Sequence, residues 1–290
     1  MNTNKELNWL VTGASQGFGR CLVEDALGRG DRVTAVVRDA GSVRELADTH
    51  PGRLDVVEAD LRDRAALERV AAVIGESPID VLVNNAGRAI AGAAEELPME
   101  LLREQLELNF FAAAALTRAA LPGMRERRAG TIVQMSSQGG RLSFPAVGAY
   151  SASKFALEGW SEALAGEVAE FGVRVLIVEP SRFRTGFNTT HSLAVTAPSE
   201  VYGRTVGTVQ RDLTGSDGAQ EGDPARAARI IGDVVRSADV PLRLPLGAEA
   251  VERLTAAYTA GLDGVRQWAD VARSADYPNV AASSRTIPTA

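Results

Sequence analysis

The sequence contains little cysteine and little histidine. Its 290 residues include one cysteine, Cys21, and two histidines, His50 and His191. A single cysteine excludes an internal disulfide and fits a reducing compartment. Two isolated histidines and one cysteine cannot form a His/Cys cluster, so the sequence predicts no metal site.

Long apolar runs and clusters of basic residues are also absent from the sequence. No run is long enough to cross a bilayer, and the first residues carry neither the apolar core nor the cleavage site of a signal peptide. The net charge is −6, without a stripe of lysine and arginine. We therefore expect a cytoplasmic protein whose partners include neither a membrane nor a nucleic acid.

Short β-branched runs alternate with amphipathic stretches along most of the chain. Hydrophobic residues make up 45% and charged residues 23% of the sequence, close to globular averages. The predicted strands cover residues 9–12, 32–37, 54–58, 80–84, 131–135 and 173–178. The predicted helices are one that ends near residue 29 and others at about 42–48, 64–74, 99–127, 149–171, 224–237 and 249–273. This pattern is typical of an α/β protein with a doubly wound parallel sheet of the Rossmann type, and it favours a single domain over residues 1–290.

The periodic pattern weakens after Pro180. Residues 181–222 are rich in threonine, serine, glycine and alanine, and such long connections are more often binding elements than plain linkers. We predict a substrate lid there. A C-terminal extension, residues 241–290, begins with a proline-flanked run at 241–247 that can add a short strand at the edge of the sheet.

Three glycines follow the first predicted strand and open the first predicted helix. Gly13, Gly17 and Gly19 lie where a dinucleotide site needs backbone close to a pyrophosphate and a helix N-terminus facing its charge. The same stretch, with Ser15 at its centre, also satisfies the Gly-x-Ser-x-Gly pattern of a hydrolase nucleophile elbow. That alternative needs a histidine after an acidic residue, and His191 fits the order, so a serine hydrolase stays open. A glycine-rich turn without a ligand is the third possibility.

A tyrosine and a lysine stand four positions apart in the run Tyr150-Ser-Ala-Ser-Lys154. On a helix that starts near Ala149, this spacing places the phenol and the ammonium on one face. A free phenol has a pKa of about 10, and a nearby ammonium favours its anion, so the pair can transfer protons near neutral pH. Ser137 lies upstream at the end of a predicted strand. The pair alone is weak evidence, because any helix can carry a tyrosine and a lysine at this spacing as two solvated side chains.

The residues after the second and third predicted strands bear on the choice of nucleotide. Arg38 lies nineteen positions after Gly19, where an acidic residue would bind a ribose 2′-hydroxyl and an arginine would pair with a 2′-phosphate. Arg38 therefore indicates NADP(H). Asp39 beside it can partly neutralise the charge, and a solvated loop arginine is the alternative. Asp60 and Leu61 are suitably placed for the adenine, or Asp60 is a plain turn residue.

These motifs occur together and in a fixed order. The order is Thr12-Gly-x-x-x-Gly-x-Gly19, Asn84-Asn-Ala-Gly87, Asn109, Ser137, Tyr150-x-x-x-Lys154 and Pro180. With this set the sequence resembles the classical short-chain dehydrogenases/reductases over about residues 7–185, in an NADP-preferring branch with an extended C-terminal segment. The resemblance implies an oxidoreductase that interconverts a ketone or aldehyde and an alcohol with NADP(H).

The resemblance also implies a role for each residue that matches a family motif. Tyr150 would donate or accept the proton, Ser137 would bind the substrate oxygen, and Lys154 would hold the nicotinamide ribose and lower the phenol pKa. Asn109 would anchor a water chain behind Lys154, and Thr185 would hold the carboxamide. The implied cofactor residues are Gly13, Ser15, Gln16, Gly17, Phe18, Gly19, Arg38, Asp60, Leu61, Asn85, Ala86, Gly87, Tyr150, Lys154, Pro180 and Thr185.

Substrate and assembly are less accessible from the sequence. The chain has Ser181 after Pro180, where the family usually has glycine, which puts in doubt the backbone from Ser181 to Thr185. The helices at 99–127 and 149–171 form the usual family dimer face, implying a homodimer or homotetramer. A catalytically silent NADP(H)-binding sensor or scaffold remains an alternative. An apolar pocket for a cyclic or aromatic ketone, or simply the packing of the lid, would account for Phe144, Val147, Phe187, His191 and Tyr202.

Overall fold

Strands and helices alternate along the chain in the computed structural model, which describes residues 5–189, 191–278 and 280. The strands of this described part are β1 Asn8–Thr12, β2 Arg32–Val37, β3 Leu54–Glu58, β4 Val81–Asn84, β5 Ala89–Ala91, β6 Gly130–Met135, β7 Val173–Pro180, β8 Leu193–Val195 and β9 Arg243–Leu246. Its α-helices are α1 Gly17–Gly28, α2 Arg44–Thr49, α3 Arg64–Glu76, α4 Met99–Leu106, α5 Ala112–Arg127, α6 Gly148–Val168, α7 Val206–Gly215, α8 Pro224–Arg236, α9 Ala248–Gln267 and α10 Ala269–Arg273.

Seven strands form one parallel sheet in the order β3-β2-β1-β4-β6-β7-β9. The central strands are almost entirely buried, as expected for apolar runs covered by helices on both faces. The order reverses between β1 and β4, and doubly wound sheets bind ligands in the crevice beyond the carboxyl ends of the strands at such a point. The predicted doubly wound sheet of the Rossmann type is confirmed.

The two faces of the sheet carry separate apolar clusters, because successive strand residues point to opposite sides. In β1, Trp9 and Val11 belong to the cluster covered by α1 and α8, whereas Leu10 belongs to the cluster covered by α3 and α5. All three side chains are almost completely buried. The sheet is therefore fixed from both faces, which holds the carboxyl ends of its strands in position for a site.

The six predicted central strands agree with the structure to within two residues at each end. The proline-flanked run forms β9, which pairs with β7 at the edge of the sheet, where Pro245 is tolerated. The sequence does not predict β5 and β8, which pair with each other. Each has three residues, too few to show an alternating pattern.

Two helices that the sequence predicts as continuous are interrupted in the structure. The predicted helix at 99–127 is divided into α4 and α5 by a π-helical turn, Glu107–Phe111. The predicted helix at 249–273 is divided into α9 and α10 at Trp268. Within the described residues, no helix combines the length and apolarity needed to span a membrane.

The predicted lid, residues 181–222, contains more regular structure than the sequence indicates. It holds β8 and α7, and its residues Leu193 and Val206 pack in one apolar cluster with Ala89 and Ala91. The segment thus packs against the body through β5, while its function as a lid stays a prediction. Residues 281–290 of the predicted C-terminal extension lie outside the described residues.

Replacement of Ile231 by alanine tests the packing of α8 on the sheet. Ile231 is fully buried in the cluster with α1, whereas its neighbour Ile230 is 44% exposed. We expect Ile231→Ala to lower the free energy of unfolding by about 2–5 kcal/mol, because the lost methylene groups leave a cavity. Ile230→Ala, the matched control, should change it by no more than about 0.5 kcal/mol. Urea unfolding of both variants measures the difference, and equal losses would contradict the described packing.

Candidate active site

The turn between β1 and α1 requires glycine at three positions. Gly13 and Gly17 have φ of +64° and +56°, in the left-handed region that favours glycine. A Cβ on Gly19 would lie 2.2 Å from the carbonyl oxygen of Gly13. The residue that precedes α1, Gln16, makes no side-chain capping hydrogen bond. The first N–H groups of α1 are therefore available to an anion.

Hydrogen bonds tie the glycine turn to the segment after β4. The side-chain Nδ2 of Asn85 donates to the carbonyl oxygens of Thr12 and Gly13 at 2.8 and 3.1 Å. The Thr12 hydroxyl oxygen accepts from the backbone N–H groups of Asn85 and Ala86 at 2.9 and 3.0 Å. The amide of Asn85 is thus engaged with the turn. The glycine turn and the segment after β4 form one rigid wall.

Asn109 lies in the π-helical turn and fixes a neighbouring loop. Its side chain donates to the Arg88 carbonyl and to the Ser153 hydroxyl, both at 3.0 Å, and accepts from the Arg88 N–H at 3.1 Å. Ser153 donates in turn to the carbonyl oxygen of Tyr150. Asn109 is 2% exposed. It therefore supports α6 from behind.

Ser137, Tyr150 and Lys154 line one cleft at the carboxyl end of the sheet. Ser137 follows β6, and its hydroxyl oxygen accepts from the Gly139 N–H at 3.0 Å. The Lys154 ammonium donates to the Met135 carbonyl at 2.6 Å and lies 5.8 Å from the centroid of the Tyr150 ring. The structure thus brings together three groups that can hold a substrate oxygen and move a proton to it.

Burial controls the titration of the tyrosine and the lysine. It raises the pKa of Tyr150 to about 12, although a hydrogen bond with Ser137 acts in the opposite direction. It lowers the pKa of Lys154 to about 8, opposed by the charge of Glu158. The expected lowering of the phenol pKa is therefore wrong for the protein without a ligand, because desolvation of the phenolate dominates. At neutral pH Tyr150 is a protonated phenol, suited to donate.

The far end of the cleft carries two arginines. Arg38, after β2, is exposed, and Arg62 pairs with Asp60 at 2.6 Å after β3. The hydrogen bond from Arg62, with a smaller contribution from Arg38, lowers the pKa of Asp60. The Asp39 carboxylate is engaged within its own turn, where it accepts from the Gly41 N–H at 2.8 Å. The cleft therefore offers positive charge beside an ionised carboxylate.

Ser181 fits the structure without backbone strain. Its φ is not in the left-handed region, and its N–H donates to the Leu246 carbonyl of β9 at 3.0 Å. Its hydroxyl donates to the same oxygen at 3.3 Å. Further along, Thr185 lies against the glycine turn, since a Cβ on Gly17 would be 2.8 Å from the Thr185 carbonyl oxygen. The segment after β7 thus closes over the turn.

Most of the predicted site residues surround this cleft. Those that line it are Gly13, Ser15, Gln16, Gly17, Phe18, Arg38, Asp60, Leu61, Asn85, Ala86, Gly87, Ser137, Tyr150, Lys154, Pro180 and Thr185. Gly19 and Asn109 are buried behind its wall. Of the residues predicted to form an apolar pocket, Tyr202 lies elsewhere, with its hydroxyl donating to Glu95. The others that line the cleft are Phe144, Val147, Phe187 and His191.

Sequence reasoning missed Arg62 and Gln220. Arg62 could have been found from the sequence, because it follows the third predicted strand and stands two positions after Asp60. Gln220 lies between α7 and α8 and has no motif to mark it. It lines the cleft and is 2% exposed, and within the described residues neither its side-chain nitrogen nor its oxygen has a hydrogen-bond partner. A buried amide without a partner is costly, so this side chain is suited to a polar ligand.

Comparison with known proteins decides the family. A family model described as short chain dehydrogenase matches residues 8–195. The oxidoreductase BOA17 of Botryotinia fuckeliana is 35% identical over 247 residues, which cover 84% of this chain and 90% of that protein. The chain belongs to the short-chain dehydrogenase family. Ser15 is exposed, and within the described residues its side chain makes no hydrogen bond to His191, so the serine hydrolase alternative is not supported.

Solved structures agree with this short-chain dehydrogenase along most of its length. A short-chain dehydrogenase from Streptomyces avermitilis is 42% identical with a TM-score of 0.87, and the match covers 94% of this chain and 99% of that one. A short-chain dehydrogenase from Burkholderia cenocepacia, in complex with NADP, is 26% identical with a TM-score of 0.68, and the match covers 93% and 98% of the two chains.

Gly19→Ala tests the close approach inside the glycine turn. The new methyl group would overlap the Gly13 carbonyl oxygen, and we expect a loss of about 1–3 kcal/mol in the free energy of unfolding. Gly28 is the control on the same helix, because nothing lies within 4 Å of a Cβ placed there. Gly28→Ala should leave stability unchanged or slightly raised, since alanine is the better helix former. Urea unfolding compares the two, and a Gly19→Ala variant as stable as the wild type would refute the geometry.

Proposed function

We propose that this short-chain dehydrogenase is an NADP(H)-dependent oxidoreductase that interconverts a ketone or aldehyde and the corresponding alcohol. The observation that carries the proposal is one continuous cleft with Ser137, Tyr150 and Lys154 at one end and Arg38 and Arg62 at the other. The first group suits proton transfer to a carbonyl oxygen, and the arginines suit a phosphate. The NADP complex of the related structure supports the same nucleotide.

The residues of the cleft fit NADP(H). The glycine turn is a cradle that side chains would fill, and it leaves the N-terminus of α1 open to a pyrophosphate. Arg38 and Arg62 would pair with the 2′-phosphate, and Asp60 with Leu61 would border the adenine. Lys154 would hold the nicotinamide ribose. When bound, NADP(H) supplies or accepts the hydride.

The protein's own contribution in the reducing direction is orientation and proton transfer. Ser137 donates a hydrogen bond to the carbonyl oxygen and holds it beside the phenol. Tyr150, protonated at neutral pH, gives its proton to that oxygen, so that the alcohol leaves neutral and the phenolate remains. The Lys154 ammonium, 5.8 Å from the centroid of the Tyr150 ring, stabilises this phenolate in a buried site. In the oxidising direction the same residues take the proton back.

The substrate end of the cleft is apolar. Phe187 packs beside the Tyr150 ring with centroids 5.8 Å apart, and Phe144, Val147 and Leu213 lie nearby in the lining. We infer a cyclic or aromatic carbonyl compound as the substrate class, with residues 181–222 as the lid over it. The aromatic faces would stack on such a ring while Ser137 and Tyr150 hold its oxygen.

We also propose a homodimer or homotetramer built on α4, α5 and α6. Phe111 and Phe155 are 50% and 45% exposed, and Met99 at the start of α4 is 55% exposed. Exposed side chains of this size on the expected dimer face are compatible with coverage by a second copy. A cytoplasmic location stays a prediction.

Tyr150→Phe tests the proton-transfer role. We expect NADPH consumption with cyclic and aromatic ketones to fall about 10²- to 10⁴-fold, because the ring remains but the transferable proton is lost. NADPH binding, followed by its fluorescence, should be unchanged. Tyr202→Phe is the matched control outside the cleft and should keep its activity. Retained turnover in Tyr150→Phe would exclude the role, and NADPH binding by the wild type without any turnover would favour the silent sensor.

Arg38→Ala tests the recognition of the 2′-phosphate. Loss of a charge-assisted contact should raise the Kd for NADPH about 10- to 100-fold and leave the Kd for NADH unchanged. Arg64→Ala is the control, since Arg64 is an exposed helix residue paired with Glu68. Fluorescence titration with both nucleotides measures the ratio. Equal weakening for NADPH and NADH would place Arg38 outside the phosphate site.

A further inference from the structure

A buried group of charged side chains lies behind the active site. Glu158 of α6 and Glu179 of β7 are each 2% exposed, and Arg243 of β9 lies between them. The Arg243 Nε is 3.1 Å from a Glu158 oxygen and 3.6 Å from a Glu179 oxygen. Two carboxylates with one arginine leave excess negative charge in the interior, which is costly unless a proton or another cation offsets it.

Lys154 lies one helical turn from Glu158 on α6. Tyr150, Lys154 and Glu158 follow one another at intervals of four residues on α6, so they stack along one face of the helix. Lys154 is 5% exposed, and burial disfavours its charged form. The negative charge of Glu158 acts against that effect and favours the ammonium. The reaction needs the ammonium, because only the charged lysine stabilises the phenolate.

Glu158 also packs under the turn that carries Ser137. That turn, Gln138–Gly140, is a short 3-10 helix that begins directly after Ser137. A Cβ on Gly140 would lie 2.9 Å from the Glu158 Cγ and 2.7 Å from the Ser136 hydroxyl oxygen. The backbone of the turn thus rests directly on the Glu158 side chain. Glu158 therefore contacts the turn that carries Ser137, and its charge favours the Lys154 ammonium.

The second carboxylate provides the place for a proton. Burial and the neighbouring Glu158 raise the pKa of Glu179 to about 7. Within the described residues, one oxygen of each carboxylate has no hydrogen-bond partner, and a proton shared between the two would satisfy both. Near neutral pH, Glu179 therefore carries the proton for part of the time.

Other charged groups face this pair from the surrounding elements. Glu162 of α6 lies 2.9 Å from Arg243 and is 54% exposed, so solvent screens it. The charge of Arg141, after the Ser137 turn, acts against the burial that raises the pKa of Glu179. Arg141 also donates to the Tyr258 hydroxyl of α9 at 2.6 Å. Glu158 is therefore the buried carboxylate placed to act on Lys154, and Glu162 is its exposed counterpart on the same helix.

We propose that Glu158 is a positioning residue for the reaction, which keeps the Lys154 ammonium charged and supports the Ser137 turn, with Arg243 and Glu179 holding its carboxylate in place. This inference rests on the proposed reductase function. It assigns the buried cluster a catalytic purpose that stability alone does not require, since a well-packed apolar group would serve there equally well.

The pH dependence of kcat/KM for carbonyl reduction tests the proposal. The alkaline limb reports deprotonation of the coupled Tyr150–Lys154 pair. Removing the Glu158 charge makes both protons easier to lose, so Glu158→Gln should move this limb to lower pH by about one unit. Glu158→Asp, which keeps the charge, should restore the wild-type limb. Glu162→Gln is the matched control and should leave the profile unchanged.

Two results would overturn the proposal. One is a folded Glu158→Gln variant with the wild-type limb, and the other is an equal shift in Glu162→Gln. If Glu158→Gln does not fold, Arg243→Gln provides a second test with a pH shift in the opposite direction. Loss of the Arg243 cation strengthens the negative field at Lys154. Its limb should move to higher pH, and a shift to lower pH would again refute the role.

A double-mutant cycle separates this inference from the proposed function. The stabilities of Glu158→Gln and Lys154→Met, alone and combined, are measured by urea unfolding at pH 7 and pH 10. We expect coupling at pH 7 that disappears at pH 10, where Lys154 is neutral, and none between Glu162→Gln and Lys154→Met. A wild type without turnover would refute the reductase function, while the cycle would still decide the coupling of Glu158 with Lys154.

Discussion

The junction between β1 and β4 is the constraint on which the site depends. The strand order of the sheet reverses there, so the loops that leave the two strands diverge and open a crevice. Thr12 and Asn85 exchange hydrogen bonds across this junction through both side chains and backbone. Because Thr12 is 1% exposed, loss of either partner would leave buried polar groups unpaired. The glycine turn and the segment after β4 are consequently held in one rigid frame.

Burial gives the proposed catalytic end of the cleft its chemical character. It makes the Tyr150 phenol a weaker acid and the Lys154 ammonium a stronger one, so each group is pushed towards its neutral form. A neutral phenol is what proton donation requires, whereas a neutral lysine would not stabilise the phenolate that remains. The two requirements conflict in a low-dielectric site. A negative charge behind the lysine, such as that of Glu158, resolves the conflict without solvating the cleft.

The sequence predicts this architecture well where the physical cause is local. A parallel strand that is buried on both faces is a continuous apolar run in the sequence, so the central strands are predictable. A turn that needs positive φ is marked by its glycines, so the turn after β1 is predictable as well. The direction of the Tyr150 pKa shift cannot be predicted in this way. Helix spacing reveals the neighbouring ammonium, but it does not reveal the burial that raises the phenol pKa. Gln220 and the strand pair β5–β8 depend on contacts between distant segments, which no local pattern records.

The two ends of the cleft are formed by different kinds of structure. The nucleotide end consists of turns directly after β1, β2 and β3, whose positions follow from the register of the sheet. The proposed substrate end includes residues 181–222, which are held by hydrogen bonds between loop segments, such as the one from Arg184 to the Gln220 carbonyl at 2.6 Å and the one from Asn188 to the Leu213 carbonyl at 2.7 Å. Changes in those segments alter the pocket without disturbing the sheet. In the proposed function, residues 181–222 together with Phe144 and Val147 would determine the substrate, whereas Ser137, Tyr150 and Lys154 would determine the type of reaction.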